Sequence, residues 1–172
     1  MIDLHVHTGF CPHGRGTFKE YLEAASEKNL SYLGFAEHLP LPPGYTDPVG
    51  DSALTRETFK QYVSQVTEIK DADEHILLGG ELDFLPGHKK WAKKLSQYPD
   101  LDYVIGSLHF LGGWCFDYSE EAFREGLQNR YAGDAEGFIK EYCKNMGLLL
   151  SICDVDVVGH LDLYKKFNEG EK

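Results

Sequence analysis

The sequence predicts an α/β fold in which a mostly parallel sheet curls into a barrel of the (β/α) type, with about five βα units. Three observations carry this. Short apolar strands alternate with helical patterns along the chain, the signature of parallel strands joined by helices packed outside. Residues of unusual chemistry gather where the strands end: His5 and His7, Glu37 and His38, Glu81 and Asp83, His109, and His160. The carboxyl ends of all strands converge on one face in a (β/α) barrel, whereas an open sheet brings only two or three together. Finally, neither GxGxxG nor GxxxxGK[ST] occurs, which removes the main support for a nucleotide-binding open sheet.

Taken in order, residues 2–7 read as a strand. Residues 17–28 read as a helix, with Thr17 as N-cap and Glu20 three residues on completing a capping box. Residues 32–36 form the second strand, followed by a Pro/Gly loop over 39–50 and a helix over 56–70. A strand over 76–84, a helix over 88–97 and a strand over 103–109 continue the alternation. After the Gly112-Gly113-Trp114 turn come helices over 120–128 and 134–150, then a fifth strand over 156–160. No repeat, low-complexity tract or linker divides the chain, so a single domain over residues 1–172 is expected.

Composition narrows the function. At 172 residues, with 42% hydrophobic and 13% aromatic residues, the chain suits an ordinary globular core. It has no apolar run long enough to span a membrane, and its N-terminus has no basic segment leading a long apolar one. A cytoplasmic protein that works away from membranes is expected. The four cysteines include no CxxC pair and read as reduced thiols, with Cys11 a small buried or loop residue rather than a ligand. The net charge of −11 argues against a nucleic-acid surface but not against a small phosphorylated substrate. Bound divalent ions would reverse the charge locally.

The chemistry lies in the strand ends. On a strand, residues i and i+2 share a face about 6.6 Å apart, so His5 and His7 can converge on one ion or merely border the strand. His13, in the loop after them, reaches back over the same strand end, although alone it would read as a solvated histidine. Glu37-His38 closes an apolar strand, where an exposed pair is less expected. Glu81 and Asp83 put two carboxylates on one face of an apolar segment, where burial demands a cation, either a metal or a basic side chain. His109 and His160 repeat the pattern, whereas His75 and His88 read as structural or solvated. Clustering, rather than any single motif, points to metal. Imidazole with carboxylate suits Zn, Fe or Mn, and several such ions suit metal-assisted hydrolysis.

His5-Val6-His7-Thr8, Cys11-Pro12-His13, Phe35-Ala36-Glu37-His38-Leu39-Pro40, Gly80-Glu81-Leu82-Asp83, Gly106-Ser107-Leu108-His109 and Asp156-Val157-Val158-Gly159-His160-Leu161-Asp162 together resemble the polymerase-and-histidinol-phosphatase (PHP) family, in order along the chain. The resemblance implies a distorted seven-stranded (β/α) barrel that binds up to three metal ions. By the same resemblance His5, His7 and Glu81 hold the first ion, Glu81, His109 and His160 the second, and His13 with His38 the third. The implied reaction is hydrolysis of L-histidinol phosphate to L-histidinol and phosphate in histidine biosynthesis, by a metal-activated hydroxide attacking phosphorus in line. Among four arginines, Arg130 and Arg15 are the candidate phosphate contacts, or else surface residues. Asp83 and Asp162 are candidate orienters of ligand histidines.

One departure accompanies the resemblance. Family members end in a Ser-Asp-x-His motif that supplies an Asp and a His to the metals, and nothing comparable stands at Glu169-Gly170-Glu171-Lys172. A full (β/α) barrel takes about 250 residues. The expectation is therefore an incomplete barrel with two ligands missing, open sheet edges that invite pairing with a second copy, and reduced turnover. Two other functions compete: a metal-binding remnant serving as a structural or partner-binding module, and an exonuclease-like phosphoesterase, which the acidic charge disfavours.

Overall fold

A computed structural model describes residues 1–167; the terminal Glu169–Lys172 stretch cited above lies outside them. In chain order the elements are β1 (Ile2–Val6), α1 (Phe18–Glu27), β2 (Tyr32–Phe35), α2 (Arg56–Ala72), β3 (Ile76–Asp83), α3 (Lys89–Ser96), β4 (Tyr103–Ser107), β5 (Phe110–Leu111), β6 (Trp114–Cys115), α4 (Glu120–Tyr131), α5 (Ala135–Ile152) and β7 (Val157–Val158). The expected capping box is present: Thr17 N–H donates to Glu20 Oε2 at 2.7 Å while Glu20 N–H donates to Thr17 Oγ1. No described helix is long and apolar enough to cross a membrane.

Strands β1, β2, β3, β4 and β7 form one parallel sheet in that order. Spatial order follows chain order, so every crossover steps the same way. With the right-handed crossover rule this puts all connecting helices on one face, the winding of a barrel rather than of a doubly wound sheet. That outer face carries the main core. Leu33, Phe35, Leu78, Leu82 and Val104 pack there with Phe59, Tyr62 and Val66 of α2, Leu95 of α3, and Phe138 and Tyr142 of α5. Alternate strand positions face inward, where Ala36, Tyr103 and Ile105 cluster with Leu4 and Leu77.

The inner face shows why the sheet curls. Neighbouring strands lie about 4.8 Å apart, which would put β4 about 14 Å from β1 in a flat sheet. Instead the Tyr103 hydroxyl donates to Leu4 O at 2.7 Å, from the fourth strand to the first. Gly79 and Gly34 make room for it. A Cβ on Gly79 would stand 2.1 Å from Tyr103 Cζ, and one on Gly34 2.2 Å from the Tyr103 hydroxyl. The result is a half-barrel whose described residues leave both edges open, with Ile2, Val157 and Val158 exposed.

Several strands are shorter than the sequence suggests. Strand β4 ends at Ser107, and a two-stranded antiparallel hairpin, β5–β6, follows around Gly112-Gly113. The apolar pattern reads straight through His109, so this hairpin goes unseen in sequence. Strand β7 covers only Val157–Val158, because His160 adopts a left-handed backbone with φ 49° that no strand accommodates. The helix expected to start at residue 88 begins as a 3₁₀ turn, Pro86–His88, running into α3.

Candidate metal centre

The inward column of each strand changes character along its length. On β3 it runs Leu77, Gly79, Glu81, Asp83; on β2, Gly34, Ala36 and then His38; on β4, Tyr103, Ile105, Ser107 and then His109. Apolar or small residues fill the closed end, and imidazoles and carboxylates crowd the carboxyl end. On β1 the pairing shifts register between Asp3 and Val6. Such irregularities re-aim side chains, and here both His5 and His7 turn toward β3.

Glu81 is the centre. It is fully buried, and five imidazoles converge on it. Nε2 of His5 and of His7 each stand 3.0 Å from Oε2, with His38 Nε2 at 3.2 Å from the same oxygen. On the other oxygen, Oε1, His160 Nε2 stands at 3.4 Å and His109 Nε2 at 3.6 Å. The carboxylate thus has a His5/His7/His38 side and a His109/His160 side. His13, although half in solvent, lies with its ring 4.9 Å from that of His38 and 5.6 Å from that of His7.

These nitrogens are close, yet none is placed to hydrogen-bond the carboxylate. Neither Glu81 oxygen has a hydrogen-bond partner among the described residues, nor do His7 Nδ1 and Glu37 Oε2. Buried carboxylate oxygens are normally bonded, so this arrangement calls for an explanation. Two ligands each about 2.0–2.1 Å from a tetrahedral ion stand about 3.4 Å apart. The nitrogen–oxygen separations of 3.0–3.6 Å leave room for an ion between imidazole and carboxylate. The donor set, imidazole plus carboxylate, suits zinc, iron or manganese. Two groups built on Glu81 have ligand atoms all within 4.8 Å of one another, His5/His7/Glu81 and His38/Glu81/His109, and a third is His7/Cys11/His13.

A second buried carboxylate orients two of the imidazoles. Asp83 Oδ2 lies 2.7 Å from His38 Nδ1, and its Oδ1 lies 2.5 Å from His109 Nδ1, which turns both Nε2 atoms toward Glu81. Electrostatics follow from this crowding. Burial alone would push the Glu81 carboxyl up, but the surrounding His160, His38, His5 and His7 hold it well below the usual range. Burial likewise opposes the low value of Asp83, which His38 and His109 hold down at about 2. Burial disfavours the His7 cation, yet Cys11, Glu37 and Glu81 raise its pKa to about 11. His109 is raised to about 9 against its burial, chiefly by Asp83. His13 is lowered, by burial and by the nearby His38 and His7.

Beside the cluster opens a cavity of about 340 Å³, lined by His13, His38, Asp83 and His109 on one wall. Asp117, Tyr118 and Lys166 line it elsewhere, Lys166 Nζ donating to Asp117 O at 2.7 Å. Arg15 and Arg130 are exposed and outside this lining, Arg130 lying against Gly112 of the β5–β6 turn. Asp162 is also exposed, its carboxylate facing Lys165 Nζ at 3.5 Å rather than a histidine of the cluster. His75 pairs with Asp73 at the far end of β3, and His88 neighbours Tyr45. Nothing local in the sequence marks Lys166, and Glu37 stands out there only as the neighbour of His38.

Comparison with known proteins agrees with this architecture. Residues 3–172 match the PHP domain family model. A probable histidinol-phosphatase of Deinococcus radiodurans is 36% identical over 97% of this chain, and the histidinol-phosphatase of Bacillus subtilis is 33% identical over 96%. The chain spans 62% of the first relative's length and 67% of the second's. The fold is similar, at a TM-score of 0.57 and 22% identity, to a crystal structure of histidinol phosphate phosphatase from Lactococcus lactis complexed with zinc, L-histidinol and phosphate. That superposition covers 73% of this chain and 50% of the other. The match runs over nearly the whole chain, and the chain belongs to the PHP domain family.

Proposed function

We propose that the cluster around Glu81 binds divalent zinc, iron or manganese, and that the chain hydrolyses a phosphomonoester, with L-histidinol phosphate as substrate in histidine biosynthesis. The observation that carries this reading is the buried Glu81 carboxylate, whose two oxygens are unbonded among the described residues and ringed by five imidazole nitrogens. The names of the relatives support the substrate. Divalent ions, when bound, lower the pKa of water and neutralise phosphoryl oxygens.

The chain's own residues would do the rest. His5, His7 and Glu81 would hold one ion, and Glu81, His109 and His160 another. His13 and His38 would serve a third, His38 also lying close to Glu81. Asp83 keeps His38 and His109 aimed. The phosphorylated end enters the adjoining cavity, where Lys166, held by Asp117, is the basic side chain able to meet it. Arg15 and Arg130 have no part in this reading, because neither lines that cavity.

Phosphate release from L-histidinol phosphate, by chelator-stripped protein reloaded with zinc, manganese or iron(II), tests it. Metal-dependent release faster than from a sugar phosphate supports the reading. Tight metal binding without release from any phosphomonoester would make the chain a metal-binding structural module instead.

A further inference from the structure

Three unbonded buried atoms are not on Glu81: Ser107 Oγ, His7 Nδ1 and Glu37 Oε2. The last two face each other at 3.7 Å. Glu37 is fully buried, an expensive place for a carboxylate without a task. Its other oxygen is clamped. Thr8 gives Oε1 two hydrogen bonds, from its backbone N–H at 2.8 Å and its hydroxyl at 2.6 Å. The Thr8 hydroxyl in turn accepts from Phe10 N–H at 3.2 Å, which fixes its own direction. Thr8 is itself buried, and Cys11, also fully buried, lies beside His7. Oε2 faces the ring nitrogen at 3.7 Å, with the Cys11 thiol as the other polar group beside the pair.

We infer that Glu37 is the positioning residue of His7: it accepts the Nδ1 proton and thereby commits Nε2 to a cation beside Glu81. An imidazole that ligates a metal commonly donates its other N–H to a carboxylate, which sets the tautomer and the ring's direction. His38 and His109 have this partner in Asp83; for His7 the carboxylate standing in that place is Glu37, 3.7 Å away. The inference rests on the metal reading of the cluster but concerns a residue outside it. It also explains Thr8: the residue after the His-Val-His strand end is a clamp on the carboxylate that steers the second histidine.

Glu37→Gln is the sharp test, because the amide keeps the shape and reverses the chemistry. With its oxygen still taking the Thr8 bonds, its NH2 faces His7 Nδ1. That makes Nδ1 the acceptor and leaves the proton on Nε2, where it blocks an ion. Thr8→Val removes only the hydroxyl of the clamp and guards against misfolding of the buried variant. Zinc titrations should show affinity at the His5/His7 position reduced about 10–100-fold in Glu37→Gln, with a smaller loss in Thr8→Val. The ion at His109/His160 should stay. Proton–nitrogen NMR of the metal-free protein supplies the arm that needs no metal. A downfield His7 Nδ1–H resonance should be present in the native chain and absent in Glu37→Gln. Its absence from the native chain, or unaltered zinc affinity in a folded Glu37→Gln protein, overturns the inference. If the resonance is present but the native chain binds no metal, the metal reading fails and the Glu37–His7 pairing survives as a structural bond.

Discussion

His5 and His160 belong to opposite edges of the sheet, yet their rings stand 5.0 Å apart. Five flat parallel strands would separate those edges by about 19 Å. Curl therefore assembles the cluster, and Tyr103, seated on Gly34 and Gly79, ties β4 to β1 across the inner face.

Adding a methyl at Gly79 should disturb both stability and the site. Its Cβ would stand 2.1 Å from Tyr103 Cζ, so the ring must leave its seat. Overpacking of this kind costs about 1–3 kcal/mol. Tyr103→Phe, which keeps the ring and loses the bond to Leu4 O, should cost about 0.5–1.5 kcal/mol. Urea unfolding of the metal-free variants measures both, and their zinc affinity should fall in the same order. Unchanged stability in both would show that Tyr103 does not hold the curl.

Asp83→Asn should loosen two imidazoles at once. The carboxylate offers one oxygen to His38 Nδ1 and the other to His109 Nδ1, whereas the amide has only one acceptor. One histidine must lose its partner, and metal affinity should drop about 10–100-fold. Calorimetric titration with zinc reads the loss, and an affinity equal to that of the native chain would remove Asp83 from the account.

His160→Gly should separate stability from function. The left-handed conformation at φ 49° costs a non-glycine residue about 1–2 kcal/mol. Relief of that strain should match or exceed the added unfolded-state freedom of glycine, about 0.4–1 kcal/mol. The metal-free variant should therefore unfold at the same temperature as the native chain or slightly above it. It should nevertheless lose one of the two imidazoles on the Glu81 Oε1 side. A variant less stable than the native chain would mean that the ring, rather than the backbone, dominates at this position.

The metal-free and metal-loaded proteins should respond oppositely to alkali. Burial opposes charge on His109, but Asp83 outweighs it and raises the pKa from 6.5 to about 9. The folded metal-free protein holds this proton more tightly than the unfolded chain does. That stabilisation is complete below pH 6.5 and disappears as pH rises through about 9. Asp83, lowered from 3.8 to about 2 despite burial, contributes above pH 3.8 and loses its effect as pH falls through 2. Metal binding needs neutral imidazoles and therefore strengthens with pH. The gap between loaded and metal-free melting temperatures should widen from pH 6.5 to 9. A constant gap would contradict the charge states assigned to the cluster.

Much of this was legible in the sequence, and the reasons are local. Strand-ending histidines and the Thr17/Glu20 capping box announce themselves through spacing of two and three residues. Winding of the sheet follows from the alternation of strands and helices. What escaped depends on residues distant in the chain. The seat of Tyr103 joins β2, β3 and β4, and the register shift in β1 exists only against β2. The Thr8–Glu37 clamp spans 29 positions, and Lys166 meets Asp117 across 49. Arginines invited attention as phosphate partners by type, but their positions on the loop after His13 and on α4 keep them outside the cavity lining.

Metal analysis of native and Glu81→Gln protein, prepared side by side, tests most directly whether Glu81 is a carboxylate shared between ions. Native protein should carry two or more divalent ions per chain. Glu81→Gln should remain folded and lose ions from both sides of the carboxylate together, with phosphate release falling by at least about 10–100-fold. Native protein that retains no divalent ion after reloading would contradict the account, as would a Glu81→Gln variant with its full complement.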